Sequence, residues 1–269
     1  MARRRKPSGR ERKELTSTAH RRRQDTIDPV NSIIIATEDT DSSVSYLNCI
    51  LNELKKDKRI TPSSVAFAKH SHTNPTGVLD DLKAHREISG ATYKDFNHKW
   101  IVIDRDYQWT ANQGHFLADY NDAFYQASLD DVEVAFANDS FELWYVLHFE
   151  YLNTSTDRAA LNAKLVNYAQ ACGIARGSLK SKAFAESLYS VIKNLECTAI
   201  RNAERLVSQS IAQGKSIKDE NPCTTVHRLV CLLRSFGKKC DSDKDCSECD
   251  PGCECSCHEV HCNCDEVLS

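Results

Sequence analysis

The sequence has no long hydrophobic run. Hydrophobic residues make up 41% of the 269 residues, but no apolar stretch approaches the roughly 20 residues that a transmembrane helix needs. The basic start, Met-Ala-Arg-Arg-Arg-Lys, is not followed by an apolar segment, so the pattern of a secretory signal peptide is missing. We therefore expect a soluble, cytoplasmic protein with no membrane association.

The two ends of the chain have few hydrophobic residues and carry opposite charges. Residues 1–29 contain ten Lys or Arg against four Asp or Glu, a net charge of +6. Residues 240–269 contain one Lys against nine acids, a net charge of -8 with every Cys neutral. A segment that buries little apolar surface does not fold alone, so we expect residues 1–30 to form a flexible basic arm.

The basic arm is a candidate for binding nucleic acid. Its residues Arg21, Arg22 and Arg23 would attract phosphates through the release of counterions. The alternative is a solvated tail that binds nothing specific.

Cysteines are concentrated in the acidic tail, which we assign to residues 237–269. In a reducing cytosol, Cys-x-x-Cys and Cys-x-Cys spacings favour metal binding over disulfide bonds. Eight thiolates suffice for two tetrahedral zinc ions. They belong to Cys240, Cys246, Cys249, Cys253, Cys255, Cys257, Cys262 and Cys264. The alternative is a disordered acidic extension that binds metal adventitiously.

Between the ends, β-branched apolar runs alternate with amphipathic helical patterns. The patterns predict strands at residues 32–37, 64–69, 99–104 and 132–137 and helices at 42–56, 76–88, 114–126 and 140–149. Further helices are predicted at 157–172, 182–210 and 224–235, with no convincing strand from residue 157 onward. Repeated strand-helix-strand units are typical of a parallel sheet covered on both faces. We expect an α/β core of about four mostly parallel strands at residues 31–156 and a helical part at residues 157–236.

Two of the predicted strands end in carboxylates. Glu38 follows the first strand, and Asp104 and Asp106 lie at the end of the third. The carboxyl ends of parallel strands meet at one edge, where such folds place their active sites. Asp104 and Asp106 face the same side of an extended chain and repel each other unless a cation lies between them. Oxygen ligands favour Mg²⁺ or Mn²⁺ there, although a solvated strand end opening a turn is the alternative.

The order of these acids resembles that of the topoisomerase-primase (Toprim) fold. Two further motifs narrow the resemblance to the RloB-like family within that group, over roughly residues 20–236. They are Asn138-x-x-Phe141-Glu142-Leu143-Trp144 and Asn221-Pro222-x-Thr224-x-Val226-His227. One departure concerns the residue after Glu38, which is Asp39 where family members usually have glycine.

The resemblance implies a Toprim-like core with a metal-dependent nuclease activity in bacterial anti-phage defence. Glu38, Asp104 and Asp106 match the family's acidic residues and would bind Mg²⁺ or Mn²⁺, and Glu142 is a further catalytic candidate. Family members commonly occur beside an ABC-type or related ATPase, so the implied partners are nucleic acid and such an ATPase. The alternative is a catalytically degenerate Toprim adaptor that binds a partner or nucleic acid.

Two lysines could contribute to substrate binding. Lys180 and Lys182 lie in a short basic stretch, where they could bind the phosphate that is cleaved. The alternative is that both are solvated.

Overall fold

The computed structural model describes residues 32–107, 114–175 and 181–237. Its strands are β1 (Ile33–Thr37), β2 (Val65–Phe67), β3 (His98–Asp104), β4 (Glu133–Asn138) and β5 (Cys223–Thr224). Its helices are α1 (Ser42–Lys56), α2 (Pro75–Ala84), α3 (Leu117–Leu129), α4 (Glu142–Leu147), α5 (Arg158–Ala171), α6 (Lys182–Ile192), α7 (Glu196–Ala212) and α8 (Val226–Ser235). The predicted basic arm and residues 238–269 of the predicted Cys-rich tail lie outside the described residues.

The strands form one sheet in the order β2-β1-β3-β4-β5. Strands β1 to β4 run parallel to one another, and β5 runs antiparallel to β4. This confirms the predicted α/β class with a mostly parallel sheet flanked by helices. The predicted number of about four strands was too low, because β5 lies in the part of the chain that was predicted to be helical.

Helices cover both faces of the sheet. On β1, Ile33 and Ile35 pack into one core layer, whereas Ile34 and Ala36 pack into the other. The first layer contains residues of α1 and α4–α8, and the second contains residues of α2 and α3. Because β1 is covered on both sides, its sequence is a continuous apolar run instead of an alternating one.

Threonine side chains attach β5 and the following residue to β4. The Thr224 hydroxyl donates to the Phe136 carbonyl oxygen at 2.7 Å. The Thr225 hydroxyl donates to the Val134 carbonyl oxygen at 3.0 Å and accepts from the Phe136 amide at 3.2 Å. These side chains supplement a strand pairing of only two residues on each strand.

The described fold ends at the amino edge of the sheet. The ring of Phe236, which follows α8, lies 5.7 Å from the ring of His98, the first residue of β3. Arg59, which lies after α1, donates from Nε to the Phe236 carbonyl oxygen at 2.9 Å. Gly237 has a φ of 64° and lies so close to the Arg59 backbone that a Cβ atom would clash there. Residues 236 and 237 are therefore anchored at this edge.

Within residues 32–107, 114–175 and 181–237, no helix is both long enough and apolar enough to cross a membrane.

Candidate active site

An acidic cavity of about 530 Å³ opens at the carboxyl edge of β1 and β3. Six carboxylates line it, from Glu38, Asp39, Asp41, Asp104, Asp106 and Glu142. The basic groups in its lining are Arg158 and two histidines, His70 and His115. Six acidic side chains against one guanidinium make the lining strongly acidic. The four predicted catalytic carboxylates therefore share one cavity with strong attraction for cations.

Glu38 is fixed at both carboxylate oxygens. The pairing of β1 with β3 continues past Thr37, where the Glu38 amide donates to the Val102 carbonyl oxygen at 3.0 Å. The Asp104 amide then donates to Glu38 Oε2 at 2.9 Å. His115 Nε2 lies 2.7 Å from Glu38 Oε1. Parallel pairing thus brings the acids of β1 and β3 together, as the sequence predicted.

Asp104 and Asp106 share one cationic partner, which is Arg158. Its Nη2 lies 2.7 Å from Asp104 Oδ2, and its Nη1 lies 3.3 Å from Asp106 Oδ2. β3 ends at Asp104, and Asp106 has a left-handed φ of 37°. A turn, and not strand alternation alone, therefore directs Asp106. In this structure the cation that two neighbouring aspartates require is a guanidinium.

The buried residue Asp139 positions this group. Its Oδ1 accepts from the Tyr107 amide at 3.1 Å, and its Oδ2 accepts from the Arg158 amide at 3.0 Å. Its carbonyl oxygen accepts from the Asp106 amide at 2.9 Å. Asp139 therefore joins the turn after β3 to the first residue of α5. Burial outweighs the opposing hydrogen bonds and raises the pKa of this carboxyl group.

The charges of the cavity perturb its titration. Burial, followed by the charge of Glu38, raises the pKa of Asp104 well above its usual range, although Arg158 opposes this. Burial also acts to lower the pKa of His115, but the hydrogen bond and charge of Glu38 outweigh it, so that pKa is raised. The pKa of Arg158 is raised because Asp104 and Asp106 outweigh the effect of its burial. The cavity thus favours added positive charge.

The donor chemistry of the cavity fits a hard divalent cation. Carboxylate oxygens are the ligands that Mg²⁺ and Mn²⁺ prefer. Asp106 Oδ1 is buried and has no hydrogen-bond partner in the part of the chain that the structure describes. Among those residues, however, no three His, Cys, Asp or Glu side chains are placed to hold one ion. Because Arg158 lies between the two aspartates, cation binding requires its guanidinium to move.

Glu142 and Asp39 both line the cavity, but Asp39 also accepts hydrogen bonds from a helix. Glu142, the first residue of α4, is 6% exposed and lines the cavity. Asp39 Oδ2 accepts from the amides of Ser42 at 2.7 Å and Ser43 at 3.0 Å, in the first turn of α1. The Asp39 carboxylate therefore caps this helix.

The residues predicted to bind nucleic-acid phosphates either lie away from this cavity or fall outside the described residues. Lys182, the first residue of α6, is 75% exposed, contacts Glu186 at 3.7 Å and does not line the cavity. Four other predicted contacts, namely Arg21, Arg22, Arg23 and Lys180, lie outside the described residues. The predicted zinc ligands, from Cys240 to Cys264, also lie outside them.

The sequence interpretation missed Arg158, Asp139, His70 and His115. One signal was present: Asp139 directly follows β4, so it lies at the same carboxyl edge as Asp104. His70 likewise follows β2 by three residues. No spacing along the chain indicates Arg158 or His115, because each reaches the acids from a different element of the fold.

The comparisons with known proteins identify a family. A family model described as RloB-like protein matches residues 33–233. Neither the curated proteins nor the solved structures include a significant match to the chain.

Proposed function

The chain belongs to the RloB-like family, and from this premise we propose that it is a metal-dependent nuclease that hydrolyses phosphodiester bonds of DNA or RNA. The observation that carries the proposal is the convergence of Glu38, Asp104, Asp106 and Glu142 on one acidic cavity. The order of these acids, one after β1 and two after β3, supports a Toprim-like core. We further propose that the nuclease acts in bacterial anti-phage defence with a partner ATPase.

In this proposal, Glu38, Asp104 and Asp106 hold Mg²⁺ or Mn²⁺. Such an ion, when bound, polarises a phosphoryl oxygen and makes bound water a stronger nucleophile. Arg158 already contacts Asp104 and Asp106, and it is the only arginine in the cavity lining among the described residues. Once Arg158 leaves the aspartates, its planar guanidinium can donate hydrogen bonds to two oxygens of one phosphate. Arg158 would thus exchange a carboxylate pair for the substrate.

A degenerate adaptor is the second candidate function. Arg158 forms ion pairs with two of the acids, and Asp39 accepts hydrogen bonds from the amides at the start of α1. Both observations favour a cavity in which these acids have partners without a metal. An adaptor of this kind would bind nucleic acid or a partner without cleaving it.

A cleavage assay separates the two functions. The full chain would be incubated with single- and double-stranded DNA and RNA, in Mg²⁺, Mn²⁺ or EDTA. Each reaction would be run with and without the proposed partner ATPase. We expect metal-dependent cleavage, and a loss on the order of 100-fold or more in Asp104→Asn and in Asp106→Asn, because each loses a charged metal ligand. Asp131→Asn is the matched control, because Asp131 is 92% exposed and does not line the cavity. Full cleavage by Asp104→Asn would reject the site, and binding without cleavage in any metal would favour the adaptor.

A further inference from the structure

His70 lines the acidic cavity, and a hydrogen bond orients its ring. Its Nδ1 lies 3.1 Å from the carbonyl oxygen of Thr37. A carbonyl oxygen only accepts hydrogen bonds, so Nδ1 carries the hydrogen, and in the neutral ring Nε2 keeps its lone pair. Nε2 makes no hydrogen bond to the described residues. In its neutral form the ring therefore brings a proton acceptor to the cavity.

The fold holds this imidazole beside the acidic residues. Strand β2 runs parallel to β1, and the Ala68 amide extends their pairing by donating to the Ile35 carbonyl oxygen at 2.8 Å. The chain then crosses the carboxyl edge of β1. The buried Asp81 holds the next part of this loop, because its Oδ2 accepts from the amides of Ser71 at 2.7 Å and His72 at 3.0 Å. His70 is therefore anchored on both sides.

Most carboxylates in the cavity already have partners. Glu38 is bonded at both oxygens, and Arg158 pairs with Asp104 and Asp106. Asp39 caps α1. These groups are therefore poorly placed to take a proton from water, which leaves two other acids and His70.

The remaining acids are Asp41 and Glu142. An ordinary carboxylate is a weak proton acceptor at neutral pH, whereas a neutral imidazole is suited to general-base catalysis there. Of the two histidines in the cavity, His115 is bound through Nε2 to Glu38, a proposed metal ligand. Among the described residues, His70 bonds to a backbone carbonyl oxygen and to none of the proposed metal ligands, so its imidazole is the one placed to act as a separate base.

We propose that His70 Nε2 is the general base that activates the attacking water in the proposed phosphodiester hydrolysis. The inference thus rests on the proposed function and adds a catalytic residue to it. The water oxygen forms a bond to phosphorus while its proton passes to Nε2. The bond from phosphorus to the leaving sugar oxygen breaks, and that oxygen takes a proton from bulk water. His70 then returns its proton to the solvent.

The variant His70→Asn tests this role with little structural change. The Asn side-chain amide can still donate to the Thr37 carbonyl oxygen, but it supplies no acceptor at the Nε2 position. His72→Asn is a matched control, because His72 also uses Nδ1 for a hydrogen bond, to Asp81 at 2.7 Å, and is not in the cavity lining. Thermal unfolding and Mn²⁺ binding, measured by titration calorimetry, show whether each variant keeps its fold and its metal site.

We expect His70→Asn to reduce kcat by about 10²- to 10⁴-fold, with thermal midpoint and Mn²⁺ affinity unchanged. In the unaltered chain the rate should fall at acidic pH, because a protonated base cannot accept a proton from water. This acidic limb of the pH–rate profile should be absent from His70→Asn and present in His72→Asn. Comparing the two variants is necessary because other charged groups face the same cavity. They are Glu38, Asp39, Asp41, Asp104, Asp106 and Glu142, together with His115 and Arg158.

The following results would overturn the proposal. A loss of less than about tenfold with the acidic limb retained would exclude His70 as the base. Loss of Mn²⁺ binding together with activity would make His70 a metal-site residue instead. Failure of the unaltered chain to cleave any nucleic acid would overturn the proposed function itself, and the role of His70 with it. An active unaltered chain with an active His70→Asn variant would overturn the role of His70 alone.

Discussion

At the scale of single residues, Arg158 is the cationic partner of both Asp104 and Asp106. Its side chain is 25% exposed, and the aspartates are 16% and 14% exposed. Removing one partner of such a group leaves buried charge without compensation, which destabilises a protein far more than the loss of an exposed ion pair. Arg158 therefore links the stability of the fold to the occupancy of the cavity.

We expect Arg158→Ala to lower the free energy of unfolding in EDTA by on the order of 3 kcal/mol. Mg²⁺ or Mn²⁺ should restore part of this loss, because either ion supplies positive charge at the same carboxylates. Urea unfolding with EDTA and with added metal measures both effects. Lys182→Ala is the control, since its exposed pair with Glu186 should contribute less than about 1 kcal/mol. An Arg158→Ala variant as stable in EDTA as the unaltered chain would contradict this account.

The residue-level predictions depended on local pattern. Glu38, Asp104 and Asp106 follow apolar strands, so the rule that parallel strands present their carboxyl ends at one edge was sufficient to group them. Arg158 and His115 were not predicted because their positions depend on how α5 and the residues before α3 pack against that edge. The sequence therefore identified the acids of the cavity but not the groups that balance them.

At the scale of elements, β5 shows how side-chain hydrogen bonds define a very short strand. Thr225 both donates to β4 and accepts the Phe136 amide. We expect Thr225→Val, which keeps the shape, to lower the free energy of unfolding by about 1–3 kcal/mol, since it leaves buried backbone groups without partners. Thr156→Val is a suitable control because its hydroxyl bond, to the Thr154 carbonyl oxygen, is exposed. Equal effects of the two substitutions in urea unfolding would argue against this role for Thr225.

Element prediction failed where tertiary contacts decide the boundaries. The helix predicted at residues 182–210 is instead α6 and α7, separated by a 3-10 turn at Lys193–Leu195. Both helices contribute residues to the same core layer, so apolar periodicity continues across the turn. β5 has two residues, which is too short for a period of two to be visible. Long apolar strands such as β1 and β3 were predicted well because burial on both faces gives them continuous apolar runs.

At the scale of the whole molecule, two buried histidines make stability depend on pH. Burial lowers the pKa of His148 to about 4, and burial, with the charge of Arg228, lowers that of His227 to about 4. An unfolded histidine has a pKa of about 6.5, so the unfolded chain binds more protons below that pH. The stability that each neutral histidine preserves is therefore complete above about pH 6.5 and is lost as the pH falls toward 4.

We expect each of these histidines to remove about 3 kcal/mol of stability between pH 6.5 and pH 4. Urea unfolding of the unaltered chain and of His148→Asn across this range measures the effect. The variant keeps a donor for the Trp144 carbonyl oxygen, which His148 Nδ1 contacts at 2.8 Å, but does not titrate. Its stability should change less with pH, whatever its stability at pH 7. Identical pH profiles would show that His148 does not contribute.

The Cys-rich tail gives a further prediction for the whole chain. Eight thiolates match two four-coordinate sites, and residues 240–264 have little apolar surface to fold around. We expect about two zinc ions per chain, and loss of this zinc from a chain that ends at residue 237. Metal analysis of protein purified without added zinc tests this. Sub-stoichiometric zinc together with fully reactive thiols under native conditions would mean that the tail is not a metal module.

The anchoring of Phe236 and Gly237 beside His98 has a practical consequence. The acidic cavity lies at the other end of β3, which has seven residues and therefore separates the two places by about 20 Å. A fluorophore or surface linker joined at residue 237 would start from the edge remote from the acids. Molecules immobilised there would present the cavity to solution in a common orientation, so the proposed cleavage could be tested optically on single nucleic-acid molecules.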